Sequence, residues 1–518
     1  INTGSGTITL GSTIGASNAL SSVSLTSSTG INLGGNVSTV GAQSYAGPVV
    51  LTSSVTATTT NSTVAFSSTV NSAANVGNTA SAANPLTVTS GSGNVTFTGI
   101  VGGATNGALG ALAVNTTGTT TFSAAVTAAS VTTNAGGTVA LNGATVTTTG
   151  AQTYNDAVVL GADTTLAATT ATFNDTITGA YGLTITGNAV FGNATADTVT
   201  LTGTNKALSV SGTSTINANI TTTGGQTYTG ATTLGAIVTL SASSITTGST
   251  FAAGTYALTM TTDAISLGGA LSGSAALVIQ PKTDATTIGL GSSITSTSCG
   301  GAACSLALDD TELGRLADGF LSIAIGSTTG TGAIAINYTT PYTFADPVTI
   351  RSKATSGGGS ITASSALASS TNSLTLSTYG AVSVASITSG TLAITGTGIT
   401  LNGDVTTSGA GATQTYTGAI TLGNSIALTS NNNAVIFSGS GSTINGAKDF
   451  TVNAGSGAIS FGGVVGGSSV LSSLTLTTSN STGITLSGNI STTGSQAYNG
   501  NVLLAGANIS LSTTNSGV

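Results

Sequence analysis

The 518-residue sequence contains no His and no Trp, with 2 Cys, 5 Pro and 1 Met. Without histidine, Ser-His-Asp triads, imidazole metal sites and the usual neutral-pH proton shuttles are excluded. Two thiols with no histidine beside them cannot complete a structural zinc site. Charge is scarce as well: charged residues make up 4% of the chain, against roughly a quarter in ordinary soluble domains. The basic residues Lys206, Lys282, Arg315, Arg351, Lys353 and Lys448 form no stripe, and the net charge is −7. No nucleic-acid partner is therefore expected. No apolar run reaches the roughly 18 residues a membrane helix requires, so no membrane-spanning segment is expected. The first residue is Ile1, with no initiator Met and no signal-peptide pattern. That fits a mature or excised piece of a longer secreted protein. So little charge leaves self-association easy.

What is abundant is Gly (74 residues), Ser, Thr, Ala and Asn, together with a hydrophobic fraction of 39% and a mean hydropathy of +0.41. Low charge alone is compatible with disorder. Here, however, Val, Ile and Leu recur at alternating positions, as in Thr198-Val199-Thr200-Leu201-Thr202. Successive strand side chains face opposite ways, so such segments form strands with one apolar and one polar face. They are short and separated by Gly-Asn, Gly-Ser or Asn-Gly, which supply tight turns.

These strands belong to repeats. The motif Gly-Ile-x-Leu followed by Gln-x-Tyr occurs at Gly30–Leu33 with Gln43 and Tyr45, and at Gly398–Leu401 with Gln414 and Tyr416. It occurs again at Gly483–Leu486 with Gln496 and Tyr498, and degenerate copies end at Gln152-Thr153-Tyr154 and Gln226-Thr227-Tyr228. A longer period is visible too. Ile1-Asn2-Thr3-Gly4-Ser5-Gly6 matches Val452-Asn453-Ala454-Gly455-Ser456-Gly457, an offset of about 451–454 residues. The expected organisation is a repetitive shaft over residues 1–276, a non-repetitive module over 277–350, and a second shaft over 351–518 that re-enters the phase of residues 1–64.

No compact barrel or sandwich runs this far with one small-residue motif returning throughout. A coil of strands stacked turn on turn buries a continuous interior that no single repeat can bury. The expected fold class is all-β, a parallel β-helix or β-solenoid forming an elongated rod. With about 20–23 residues per turn it would hold roughly 22–26 turns. One short helical interruption is expected near residues 309–318.

The motifs resemble those of the filamentous-haemagglutinin-like proteins, the giant secreted adhesins of Gram-negative bacteria and cyanobacteria. The resemblance is most specific in Leu277-Val278-Ile279-Gln280-Pro281, Thr287–Gly291, Asp310–Phe320, Ser322–Gly326 and Asp346–Ile350. It implies a right-handed helix at the cell surface or in the medium, with a structural or adhesive role and no enzymatic site or cofactor. Its partners would be neighbouring copies, the continuation of the same chain, or surface glycans. The amino-terminal secretion domain of such proteins has no match here, which leaves the secretion route open.

Few residues carry chemistry. Asp309, Asp310, Glu312 and Asp318 cluster beside Arg315. One reading is a Ca²⁺ site or an acid/base pair of a β-helical carbohydrate-active enzyme. The other is a short helix with Asp309 or Asp310 as N-cap, Glu312 in the first turn and Asp318-Gly319 at the exit. The helix is the favoured reading. Asp156, Asp175 and Asp404 read as turn residues. Cys299 and Cys304, in Cys-Gly-Gly-Ala-Ala-Cys, are expected to form a local disulfide in an oxidising compartment; free thiols or bridges between neighbouring rods are the alternatives. The Tyr residues of Gln-x-Tyr are expected to cover turn edges or fill corners, with glycan contact as the alternative. Asn36, Asn94 and Asn489 begin Asn-x-Ser/Thr triplets that would accept glycans only where accessible.

Overall fold

A computed structural model describes residues 1–73, 83–194, 196–294 and 304–515. The chain divides into two units, Ile1–Ala252 and Ala253–Val518. Each is a parallel β-solenoid, and the two hold about 23 stacked turns with almost no helix, within the expected range.

Alternation explains each strand. In Thr198–Leu201, Val199 and Leu201 are buried and the alternating Thr198 and Thr200 are turned toward solvent. Stacking then converts each inward position into a column along the coil. In the first unit one column runs Val64, Val95, Thr120, Val139, Val158, Ile177, Val199, Ile220, each the register partner of the next. Every member is essentially inaccessible to solvent, so the core is one continuous line, apolar except at Thr120. Burying such a side chain contributes about 1.5–3 kcal/mol.

Aromatic rings form the widest columns. Tyr45, Phe66, Phe97 and Phe122 stack face to face with centroids 4.8, 5.0 and 5.2 Å apart. Tyr154, Phe173 and Phe191 repeat the arrangement, as do Tyr416, Phe437 and Phe461 in the second unit. The interplanar angles are small because parallel in-register strands give each ring the same orientation as the one before it.

The Gln-x-Tyr motif supplies the first ring of each of these columns, together with a polar fastening. The Tyr45 hydroxyl donates to Gln43 Oε1 at 2.8 Å. Gln43 Nε2 donates to Val37 O and Thr39 Oγ1 within its own turn, and to Thr58 O on the next, at 3.0, 3.2 and 2.8 Å. The same set recurs at Gln152/Tyr154, Gln226/Tyr228 and Gln414/Tyr416. At Gln496/Tyr498 the bonds to Thr492 and Ser512 remain. Tyr45, Tyr154, Tyr228 and Tyr416 are fully buried. Of the two roles expected for these tyrosines, covering turn edges or filling corners, the first is corrected: four of the five occupy the interior, where the glutamine satisfies the hydroxyl, and cannot touch a glycan.

On the outside, asparagine and aspartate side chains stitch turn to turn. Asn36 Oδ1 accepts from Thr56 N, Asn94 Oδ1 from Thr119 N, Asn489 Oδ1 from Ser510 N and Asp404 Oδ1 from Ala427 N. The three triplet asparagines therefore serve as cross-turn acceptors. The long-period match also has a structural counterpart. Asn2 and Asn453 each accept from the amide two residues on, and Gly4 and Gly455 have φ of 58° and 57°. Gly15 and Gly466 both have φ of 74°, and a Cβ on either would lie 2.2 Å from a carbonyl oxygen of the following turn.

Two substitutions separate apolar columns from polar fastenings. The Thr120 hydroxyl is buried in the column without a hydrogen-bond partner, so Thr120→Val is expected to raise unfolding free energy by about 1 kcal/mol. Tyr228→Phe strands the buried Gln226 Oε1 and is expected to lower it by about 1–3 kcal/mol. Urea unfolding of both variants checks the opposite signs.

Candidate functional site

Most of the charged side chains lie between Asp263 and Lys353, in the second unit, so this is where chemistry is to be sought. The expected helix is present but short: a single turn, Asp310–Leu313, capped by Asp309. Asp309 Oδ1 accepts from Glu312 N at 2.7 Å, and Glu312 Oε2 accepts from Asp309 N at 3.1 Å, a reciprocal capping box. The helix ends at Gly314, so the exit expected at Asp318-Gly319 is corrected. Buried Leu313 anchors the turn, and the chain returns to the coil at Ser322–Ile325. Gly319, with φ of 126°, makes a separate bend on that return path.

The carboxylates here are committed to holding backbone. Glu312 Oε1 accepts from Leu267 N at 2.9 Å, and Arg315 Nη1 donates to Leu267 O, so both tie the helix to one strand. Asp310 accepts from Ser292 N with one oxygen and from Thr339 N and Thr340 N with the other, each at 3.0 Å. Burial pushes its pKa up, but these N–H donors and the Ser292 hydroxyl outweigh that and hold the carboxyl below its usual range. Asp263, which the sequence did not single out, accepts from Lys282 N, Thr283 N and the hydroxyls of Thr283 and Thr286.

Asp346 is the exception in direction. It is buried, and burial raises its pKa; the neighbouring Asp318 carboxyl adds to the rise, while N–H bonds from Gly319 and Phe320 oppose it. Asp318 and Asp346 therefore meet, a pairing that sequence separation hid. Tyr342 lies beside Asp346 and packs edge-on to Phe344 at 4.9 Å. The alternating spacing from Tyr342 to Phe344 was the available signal.

The remaining candidates are dispersed. Asp156 is buried in the first unit; burial raises its pKa, Gly137 N and Thr133 lower it, and the Asp175 charge raises it further. Asp175 accepts from Thr176 N. Among the described residues no group of three or more His, Cys, Asp or Glu side chains is placed to hold a metal. Cys304 is not a free thiol, and Cys299 lies outside the described residues. Among the described residues no helix is long and apolar enough to cross a membrane. Comparison with protein-family models, curated proteins and solved structures returns no match.

The arrangement around the helix fastens an irregular loop to the coil. Because the pKa of Asp310 is lowered by folding, its contribution is present above the ordinary carboxylate range and lost as pH falls through its folded pKa. Asp310→Asn should therefore melt below the parent protein at pH 7, and the gap should narrow as pH falls below the ordinary carboxylate range. Thermal unfolding of the two proteins across this range is the check.

Proposed function

We propose that this chain is a structural and adhesive segment of a secreted bacterial surface protein or extracellular fibre, of the filamentous-haemagglutinin-like kind, and that it catalyses nothing. The observation that carries the reading is the outer surface: coil after coil presents hydroxyls and amides in register with almost no charge. In the first unit Thr132, Thr153 and Thr172 form one such column, which Val190 interrupts before it resumes at Thr215 and Thr233, and Thr145, Thr165, Thr184, Ser209, Thr227 and Thr246 form another without a break. Such a surface is suited to many weak contacts rather than one pocket. Repetition sets the distance spanned, and ladder hydrogen bonding makes the span stiff. The carboxylates and the arginine of the helical loop support the same reading, because their hydrogen bonds hold backbone. The location is the cell surface or the medium, and the partners are neighbouring copies, the same chain's continuation and surface glycans.

Antibodies raised against the chain are expected to label intact cells of the producing organism, and deletion of the coding sequence to reduce surface attachment. Labelling only after lysis, with attachment unchanged, would contradict the proposal.

A further inference from the structure

Of the 5 prolines only Pro347 follows an aspartate, and that aspartate is Asp346, one half of the buried carboxyl pair. Asp346 Oδ1 accepts from Gly319 N at 3.0 Å, which holds it against the neighbouring Asp318. A hydrogen bond joins the two carboxyls, so the pair keeps a proton between them. The other titratable group facing Asp346 is Tyr342, a phenol of its own segment. No Lys or Arg among the described residues is placed to neutralise the pair. The chain on either side of the Asp346–Pro347 bond is pinned to neighbouring turns. Phe344 N donates to Ala368 O at 2.9 Å, and Ile323 N donates to Pro347 O at 2.8 Å.

These are the parts of an intramolecular acyl transfer. An aspartate side chain has the length to close a cyclic anhydride on its own backbone carbonyl, and holding the reacting groups in place speeds such closures. The leaving nitrogen of a prolyl bond belongs to a tertiary amide, which accepts a proton more readily than a secondary one. We propose that the chain cuts itself once at Asp346–Pro347, with the Asp346 carboxyl as nucleophile and Asp318 as proton carrier. An Asp346 side-chain oxygen bonds to the Asp346 carbonyl carbon while Asp318 takes its proton. The C–N bond to Pro347 then breaks as Asp318 delivers that proton to the nitrogen. Water hydrolyses the anhydride, leaving Asp346 as a new C-terminus and Pro347 as a new N-terminus. The cut is a single event within one molecule and touches no other substrate, so it stands apart from the structural role proposed above. Val348, just past the cut, stays paired with Ile323 on one side and Leu374 on the other, so the two pieces remain one coil.

Incubation of the full chain at about pH 5 and about pH 8, read by denaturing electrophoresis and mass spectrometry of the new termini, tests it. Two pieces meeting at Asp346 and Pro347 are expected at the acid pH, and far slower cutting at the alkaline pH, where the pair has lost its shared proton. The urea-unfolded chain at the same acid pH is expected to be cut about tenfold more slowly, because only the fold joins the two carboxyls. Asp318→Asn, checked for folding by circular dichroism, is expected to slow the cut about a hundredfold. Pro347→Ala keeps both carboxyls and is expected to slow it as well, which tests the leaving group even if Asp318→Asn fails to fold. A chain that stays whole at the acid pH, equal cutting when unfolded, or a folded Asp318→Asn variant cut as fast as the parent would each overturn the proposal.

Discussion

Everything in this molecule depends on register. A parallel coil places residue on residue, so each position must suit the one beneath it and the one above. A slip of one residue would turn every inward side chain outward. The apolar columns enforce the alternation, but Val, Ile and Leu pack acceptably in several registers. The Thr-Gln-Tyr fastening is more selective. Its glutamine must find carbonyls on two successive turns and its tyrosine must reach the glutamine, or buried polar atoms go unpaired. The register is thus set by a few directional bonds and stabilised by many non-directional contacts.

The same constraint explains the composition. Side chains on the outside stand over copies of themselves, where like charges would repel at every step. Hydroxyls and amides tolerate that repetition, and amides exploit it: Asn174 Nδ2 donates to Asn155 Oδ1 at 2.7 Å from one turn to the next. Charge is gathered instead where the coil is interrupted and carboxylates are needed to satisfy irregular backbone, as Asp263 and Asp310 do. The ion pair of Lys206 with Asp163 at 2.9 Å, in the first unit, lies on the surface and contributes little.

Much of this was legible beforehand because period-two alternation and tandem repetition are properties of the chain itself. The solenoid, its turn number, the turn roles of Asp404 and Asp175 and the Asp309 cap all followed from local pattern. What escaped was either long-range or ambiguous in sign. Gln-x-Tyr was visible as a motif, yet a tyrosine beside polar residues reads as surface until its glutamine partner is seen inside. Asp318 and Asp346 are distant along the chain, and only the fold brings them together.

The most direct test of in-register parallel stacking is chemical. Thr215 and Thr233 are register partners on adjacent turns, both facing outward, and parallel neighbours about 4.8 Å apart fall within reach of a disulfide. Cysteines at these two positions should cross-link under mild oxidation, read by peptide mapping. Cysteines at Thr215 and Leu234, whose side chain faces the core, should not. Cross-linking of the second pair in preference to the first would contradict the account.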